Sequence, residues 1–284
     1  MRKFYRVDWA VILIFLILAH NELVAQEPVN AHFDWILVDN GLSYCETDAP
    51  EKSTVNNSKL TLVRIDPSFY DFNLLTATEY GGKLRTAEEW ANEFDMAVVF
   101  NAGMYSTKKF NPNKGYLKNF EHFNNSNLSS YYNAMMVMHP IDSTMPSFKI
   151  IDMTCQPWDS VKDCYHSHCQ GMRMLDCEGK AMAFSKNPTQ SCSMILISTD
   201  TEGIIYIVFS RSPYTHLKMI DFLKTFPLNL KQTVYLEGGP ETSLYIKTMK
   251  GSVLKYGSYV SRTWANDEND HFWPIPNVIA IQKK

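Results

Sequence analysis

Thr233-Val234-Tyr235-Leu236-Glu237-Gly238-Gly239-Pro240-Glu241-Thr242-Ser243 is a β-branched and aromatic run that ends in a carboxylate, with two glycines following at once. Strands bring polar groups to their carboxyl ends, and a Gly-Gly there permits a tight turn or the close approach of a ligand. Backbone N–H groups turned outward in such a loop form an anion-binding concavity. A second stretch has the same design: Met96 to Phe100, then Asn101-Ala102-Gly103-Met104-Tyr105. With both strands in one sheet and pointing the same way, Glu237 and Asn101 meet at one rim. That rim is the candidate site.

Working outward, the run before residue 233 has helical spacing from His216 to Phe226 through Leu217, Ile220 and Leu223, with Thr215 as its N-cap and Pro227 as its stop. Ser193–Ser198 and Ile204–Phe209 are apolar runs joined through Asp200 and Gly203, a hairpin pattern. Strand, helix and strand at this spacing predict a parallel crossover, which sets Arg211 and His216 at the rim of Glu237. Thr86 with Glu89 is a capping box opening a helix that runs to about Asp95. Asn40-Gly41 marks a turn, Lys59–Asp66 alternates until Pro67, and Phe69–Ala77 is extended. Thr107–Asn127, rich in Asn and Lys, predicts a long loop whose Tyr116 and Phe120 can stack on a sugar face; Tyr131–Met138 predicts a buried strand, and Pro274–Ile281 a final one. The fold class expected is α/β in the mixed α+β sense: one domain with a central mixed β-sheet and flanking helices.

Asn-Ala-Gly-Met-Tyr at 101–105, Gly115-Tyr116-Leu117 and Tyr-Leu-Glu-Gly-Gly-Pro at 235–240 together resemble the phosphodiester glycosidase family, in consistent order over roughly residues 60 to 282. The family has Asp where this chain has Glu237, and small hydroxyl residues directly after its glycines. Here Pro240 and Glu241 precede Thr242 and Ser243. The resemblance implies catalysis by Glu237 and Asn101, and substrate contacts from Gly103, Met104, Gly238, Gly239, Thr242 and Ser243; Arg173, in a segment that resembles the family's pocket, and Arg211, brought by the crossover, are the candidate cations for the phosphate.

Residues 1–25 read as a signal peptide and 26–284 as the domain. Arg2, Lys3 and Arg6 make a basic start, Trp9–Ala19 is unbroken apolar sequence too short for a bilayer core of about 20 residues, and Leu23-Val24-Ala25 offers a cleavage site. An uncleaved anchor is the alternative. The mature protein is expected outside the cytoplasm, periplasmic or secreted, with no stable membrane insertion after processing. A hydrophobic content of 45% supplies a core, and a net charge of −3 gives no basic field for nucleic acid. The six cysteines, Cys45, Cys155, Cys164, Cys169, Cys177 and Cys192, are even in number and fit an oxidising compartment. At least two disulfides are expected, one of them within 155–192. His166 and His168 beside these cysteines match no zinc framework, so no metal ligands are assigned there.

The chemistry that the resemblance implies for this rim is cleavage of a sugar from a sugar-1-phosphodiester in a glycan. The partner is a carbohydrate or glycosyl-phosphate substrate. Glycosidases use two carboxyl groups, and Glu241, Asp176 and Asp200 are the candidates for the second. No cofactor is assigned; a Ca or Mg ion held by Glu237 and Asn101 oxygens is the alternative use of the same residues. A non-catalytic glycan-binding protein and a metal-dependent phosphodiesterase are the competing functions.

Overall fold

The computed structural model describes residues 33–108, 112–182 and 190–284; the predicted signal peptide and its cleavage site lie outside them. The chain begins with β1 (Ile36–Asp39), β2 (Leu42–Asp48), β3 (Lys59–Ile65), β4 (Tyr70–Thr76), helix α1 (Ala87–Phe94) and β5 (Val98–Asn101). Next come β6 (Leu117–Asn119), β7 (His122–Asn125), β8 (Ala134–Pro140), β9 (Phe148–Asp152), β10 (Tyr165–Arg173) and β11 (Ser191–Thr199). It finishes with β12 (Ile205–Thr215), helix α2 (His216–Thr225), β13 (Lys231–Gly238), β14 (Ser243–Thr248), β15 (Gly251–Tyr256) and β16 (Asn277–Lys283).

These strands form two sheets, not the single central mixed sheet expected. An eleven-stranded sheet runs β1-β2-β3-β12-β11-β13-β10-β6-β7, with β8 and β9 branching from β10, and a five-stranded sheet runs β15-β14-β5-β16-β4. Every pairing between these strands is antiparallel. The crossover is nevertheless real. β12 and β13 each lie antiparallel to β11, so they run the same way on either side of it, joined by α2.

Side-chain alternation explains the layering. Ile195, Ile197, Ile205, Ile207, Val234 and Leu236 point from the large sheet toward Phe72, Val98, Phe100, Leu244 and Ile279 of the small one, forming the inter-sheet core. The alternate residues Met194, Leu196, Tyr206 and Val208 face outward, where Met219, Ile220, Phe222 and Leu223 of α2 cover them. On the far side of the small sheet, Trp90 and Ala91 of α1 cover Val99, Tyr245 and Val278. The order is helix, sheet, sheet, helix. Strands covered on both faces read as continuous apolar runs, which is how β11 and β12 read.

Two local expectations hold in detail. Thr86 Oγ1 accepts the Glu89 N–H at 3.1 Å and the Glu89 carboxylate accepts the Thr86 N–H at 2.8 Å, completing the capping box of α1. Thr215 Oγ1 accepts the Lys218 N–H at 3.1 Å and so caps α2. The long loop expected at 107–127 is different: it contains the β6–β7 hairpin. Its asparagines supply in amide bonds what it lacks in apolar pattern, Asn125 donating to the Asn113 carbonyl at 2.7 Å and Asn119 to Glu79 at 2.8 Å.

Candidate active site

β13 ends in a bulge. β11 pairs Ile195 with Glu237 but Leu196 with Tyr235, so Leu236 is an extra residue immediately before the carboxylate. Bulges re-aim the side chains that follow them and recur beside active sites. The chain then needs both glycines. A Cβ on Gly238 would lie 2.2 Å from the Tyr235 hydroxyl, and Gly239, at φ +80°, would drive a Cβ to 2.4 Å from Val260 Cγ2. The turn passes the chain from the large sheet to the small one, where β14 pairs with β5.

Asn101 and Glu237 therefore belong to different sheets, contrary to the expectation, and Asn101 bonds to the turn that follows Glu237. Asn101, 1% exposed, donates its amide to the Glu241 carbonyl at 3.0 Å and accepts the Ser243 N–H at 2.8 Å. Its side chain fixes the turn, and its carbonyl oxygen is already committed to that N–H. Asp152, Cys155 and Cys177 have ligand atoms within 4.8 Å of one another. There the sulfurs are bonded to each other and Asp152 pairs with Arg173, so this group does not fit a cation.

Glu237 is half-buried, and burial pushes its carboxyl up to about 8; the Gly238 N–H, which it accepts at 3.0 Å, opposes this, Glu241 reinforces it, and Lys114 and the Tyr105 N–H oppose it. Glu241 is raised as well, by burial first, with its own N–H and then Lys114 opposing. The Tyr105 hydroxyl is raised by burial and by both carboxylates, and the Tyr132 hydroxyl by burial and by Glu237. Five side chains thus share one electrostatic environment: Glu237, Glu241, Lys114, Tyr105 and Tyr132. Burial first, and the like charge of Glu241 after it, thus favour the protonated form of Glu237. His216, held neutral by burial that lowers it to about 4, packs its ring 4.5 Å from Tyr235, so the crossover brings it to this end of β13.

Of the candidate second carboxylates, only Glu241 belongs to this group. Asp176 accepts the Glu178 and Lys180 N–H groups, and Asp200 those of Glu202 and Ile204, each closing its own turn.

The remaining expected site residues lie beneath or beside the rim. Thr242 and Ser243 are fully buried, the Ser243 hydroxyl donating to the Glu241 carbonyl at 3.0 Å. Gly103 sits where a Cβ would come within 3.2 Å of Asn113 Oδ1, and the Met104 carbonyl accepts the Lys114 N–H at 2.8 Å. Both set the loop that carries Tyr105 and Lys114.

The two arginines are committed elsewhere. Arg173 pairs with the buried Asp152 and also donates to Thr154. Arg211 pairs with Asp267 at 2.8 Å and donates to the carbonyls of Tyr256 and Asn269. Lys114 is the cation that acts on both carboxyls of the rim.

Sequence reading missed Lys114, Tyr105 and Tyr132, and also Gln170. Buried on β10, Gln170 accepts the N–H groups of Tyr116 at 3.0 Å and Ser129 at 2.9 Å, and donates to the carbonyls of Ser129 and Tyr132 at 2.8 and 2.7 Å. The available signal was Gly115, two residues before the Asn-rich hairpin, which lets the chain lie against Gln170 and Tyr132.

One disulfide forms within the expected span, Cys155–Cys177. The second does not: Cys45, Cys164, Cys169 and Cys192 are thiols. Cys169 Sγ points at the Ala102 carbonyl at 3.1 Å and Cys192 Sγ lies 3.8 Å from the Tyr235 hydroxyl, each in its own core position.

With the rim described, the architecture can be set beside known proteins. The catalytic domain of zebrafish N-acetylglucosamine-1-phosphodiester alpha-N-acetylglucosaminidase, auto-inhibited by its pro-peptide, superposes with a TM-score of 0.60 at 12% identity, over 86% of this chain and 84% of that one. The likeness shows the fold. A hypothetical protein from Synechocystis gives a TM-score of 0.57 at 14% identity, over 89% of this chain and 64% of that one, so the chain spans somewhat less than two thirds of that protein. No family model matches the sequence, and no curated protein matches it. Among the described residues, no helix is long and apolar enough to cross a membrane.

Proposed function

We propose that this protein is an exported hydrolase that releases a sugar from a sugar-1-phosphodiester in a glycan. The observation that carries the reading is the carboxyl pair at one rim, with Glu237 pushed up to about 8 beside Glu241 and Lys114. A carboxyl that keeps its proton at neutral pH is a general acid, and a neighbouring ionised carboxylate is its natural partner in glycoside cleavage. The fold shared with the zebrafish catalytic domain supports the substrate class named for that enzyme. The Cys155–Cys177 disulfide supports an oxidising compartment.

In this mechanism the bond between the anomeric carbon and the phosphate oxygen breaks, its electron pair staying on oxygen. Glu237 delivers a proton to that oxygen. Water forms the new bond to carbon and gives a proton to Glu241, so a free sugar and a phosphomonoester result. Lys114 takes the place first assigned to Arg173 and Arg211 as the cation facing the phosphate, and Tyr105 and Tyr132 enclose the sugar.

The test is product analysis after incubating the protein with N-acetylglucosamine-1-phospho-6-mannose and with its glucose analogue. Reducing sugar plus phosphomonoester is expected. Sugar phosphate plus alcohol would assign P–O cleavage instead, and saturable binding without turnover would assign a glycan-binding protein.

A further inference from the structure

Beyond the rim, Tyr116, Phe123 and Trp158 form a cluster of rings. Phe123 is 51% and Tyr131 76% exposed. The Tyr116 ring lies 6.2 Å from Phe123 at 83° and 6.3 Å from Trp158 at 62°, and Trp158 is backed edge-on by the buried His168 at 5.0 Å. Lys118 Nζ stands 5.3 Å from the centre of the Phe123 ring. Tilted rings locked against one another in this way are a rigid surface, because each fixes its neighbour's rotamer.

The platform is continuous with the rim. Lys114, which faces both carboxyls, is two residues before Tyr116, and the intervening Gly115 lies so close to the Tyr132 ring that a Cβ would come within 3.0 Å of Cδ2. Gln170 ties the two parts with one amide, holding the Tyr116 and Ser129 N–H groups on its oxygen and the Ser129 and Tyr132 carbonyls on its nitrogen. Tyr131, the most exposed aromatic of the group, adjoins Tyr132, whose hydroxyl is raised in part by Glu237.

We infer that Tyr116, Phe123 and Trp158, with Tyr131 on the loop that Gln170 ties to Tyr116, form an oligosaccharide subsite that takes the glycan attached beyond the scissile phosphodiester. The inference rests on the glycosidase reading of the rim. A pyranose ring presents a face of C–H groups with hydroxyls around its edge. The negative π-face of an aromatic ring meets the C–H groups, and Lys118, over one face of Phe123, leaves the other face for the sugar and is a donor for its hydroxyls.

The experiment uses the full chain and two substrates with the same sugar and phosphodiester, one with a methyl aglycone and one with mannotriose. Phe123→Ala and Tyr131→Ala change exposed rings, so folding survives. Each is expected to lower kcat/KM on the mannotriose substrate roughly tenfold, the scale of one lost binding anchor, and to leave the methyl substrate within about twofold. Equal losses on both substrates, or no loss on either, overturn the subsite while leaving the glycosidase reading intact. If neither substrate is cleaved, that reading fails, and calorimetry with mannotriose alone decides the platform. Binding weakened roughly tenfold by either variant sustains it; no binding, or equal binding in all three proteins, overturns it.

Discussion

Asp152, at the end of β9, has a side chain only 1% exposed, and Glu237, at the end of β13, is half-buried; burial pushes both carboxyls toward the neutral form. They end in opposite states. Against the burial, Asp152 has the Thr154 N–H at 2.9 Å, the Thr154 hydroxyl at 2.8 Å and the Arg173 guanidinium, so it is held below the ordinary carboxylate range. It also accepts the Cys177 N–H at 3.1 Å, beside the Cys155–Cys177 disulfide. Glu237 has two N–H groups and a more distant lysine, with a second carboxylate working against it. Burial alone does not mark a functional acid; the inventory of partners does. The Asp152 corner is saturated and braces the fold, whereas the Glu237 rim is left short of partners, as the proposed general acid requires.

The sharpest way to break this contrast is Glu237→Gln, which keeps the shape and removes the proton. General acid–base groups contribute about 10²–10⁴-fold, so kcat on a glycosyl phosphodiester is expected to fall by that order while the fold survives, with a melting temperature no lower than that of the wild type. Turnover near wild type would make Glu237 a turn residue like Asn101. The same exchange at the saturated corner acts on stability instead. Arg173→Met leaves a buried carboxylate without its cation, and breaking such a pair costs roughly 3–5 kcal/mol. Urea unfolding should show that loss while kcat per folded molecule stays the same. A loss of kcat with unchanged stability would return Arg173 to the substrate, where its sequence position first put it.

That reversal shows what was legible in the sequence. Elements set by local chemistry were readable: the Thr86 capping box, the Thr215 cap, the β11–β12 hairpin and the strand into Glu237 all stand where the pattern placed them. Sheet membership was not. An apolar strand covered on both faces has no signature of its neighbours, so β5 and β13 looked like partners although their strands pair in different sheets. The rim residues were half legible. Glu237 stood out because a carboxylate before two glycines is unusual, while Arg173 looked available because Asp152, its partner, lies on another strand. Lys114, Tyr105 and Tyr132 converge only after the Asn-rich segment has folded into its hairpin, and nothing in their spacing announces it.

A smaller effect tests the brace at the Asp152 corner. Cys155 and Cys177 are separated by 22 residues, and a disulfide closing a loop of that size stabilises by about 3 kcal/mol in the chain-entropy account. Cys155→Ser with Cys177→Ser should lower stability by about that much and leave the pH optimum of turnover in place. Thiol titration of the unfolded, unreduced wild type should find four thiols, those of Cys45, Cys164, Cys169 and Cys192. Two would show a second bridge.

The finest distinction between the two corners is the sign of their effect on stability as pH changes. Glu237 is raised in the folded protein, from an ordinary 4.5 to about 8, so between these values the folded state holds a proton that the unfolded chain has released. Stability then falls as pH rises through that window, with a slope of at most about 1.4 kcal/mol per pH unit for one proton. Asp152 is lowered from 3.8, so its contribution is present above that value and is lost as pH falls through its folded pKa. Unfolding free energies of the wild type and Glu237→Gln, measured from pH 5 to pH 8, should converge at the acid end and separate toward the alkaline end, with the Gln variant the more stable there. Asp152→Asn should instead be destabilised throughout this range and approach the wild type only in strong acid. Parallel curves for wild type and Glu237→Gln would mean that Glu237 ionises as an ordinary surface carboxylate, and the contrast between a saturated corner and a proton-holding rim would disappear.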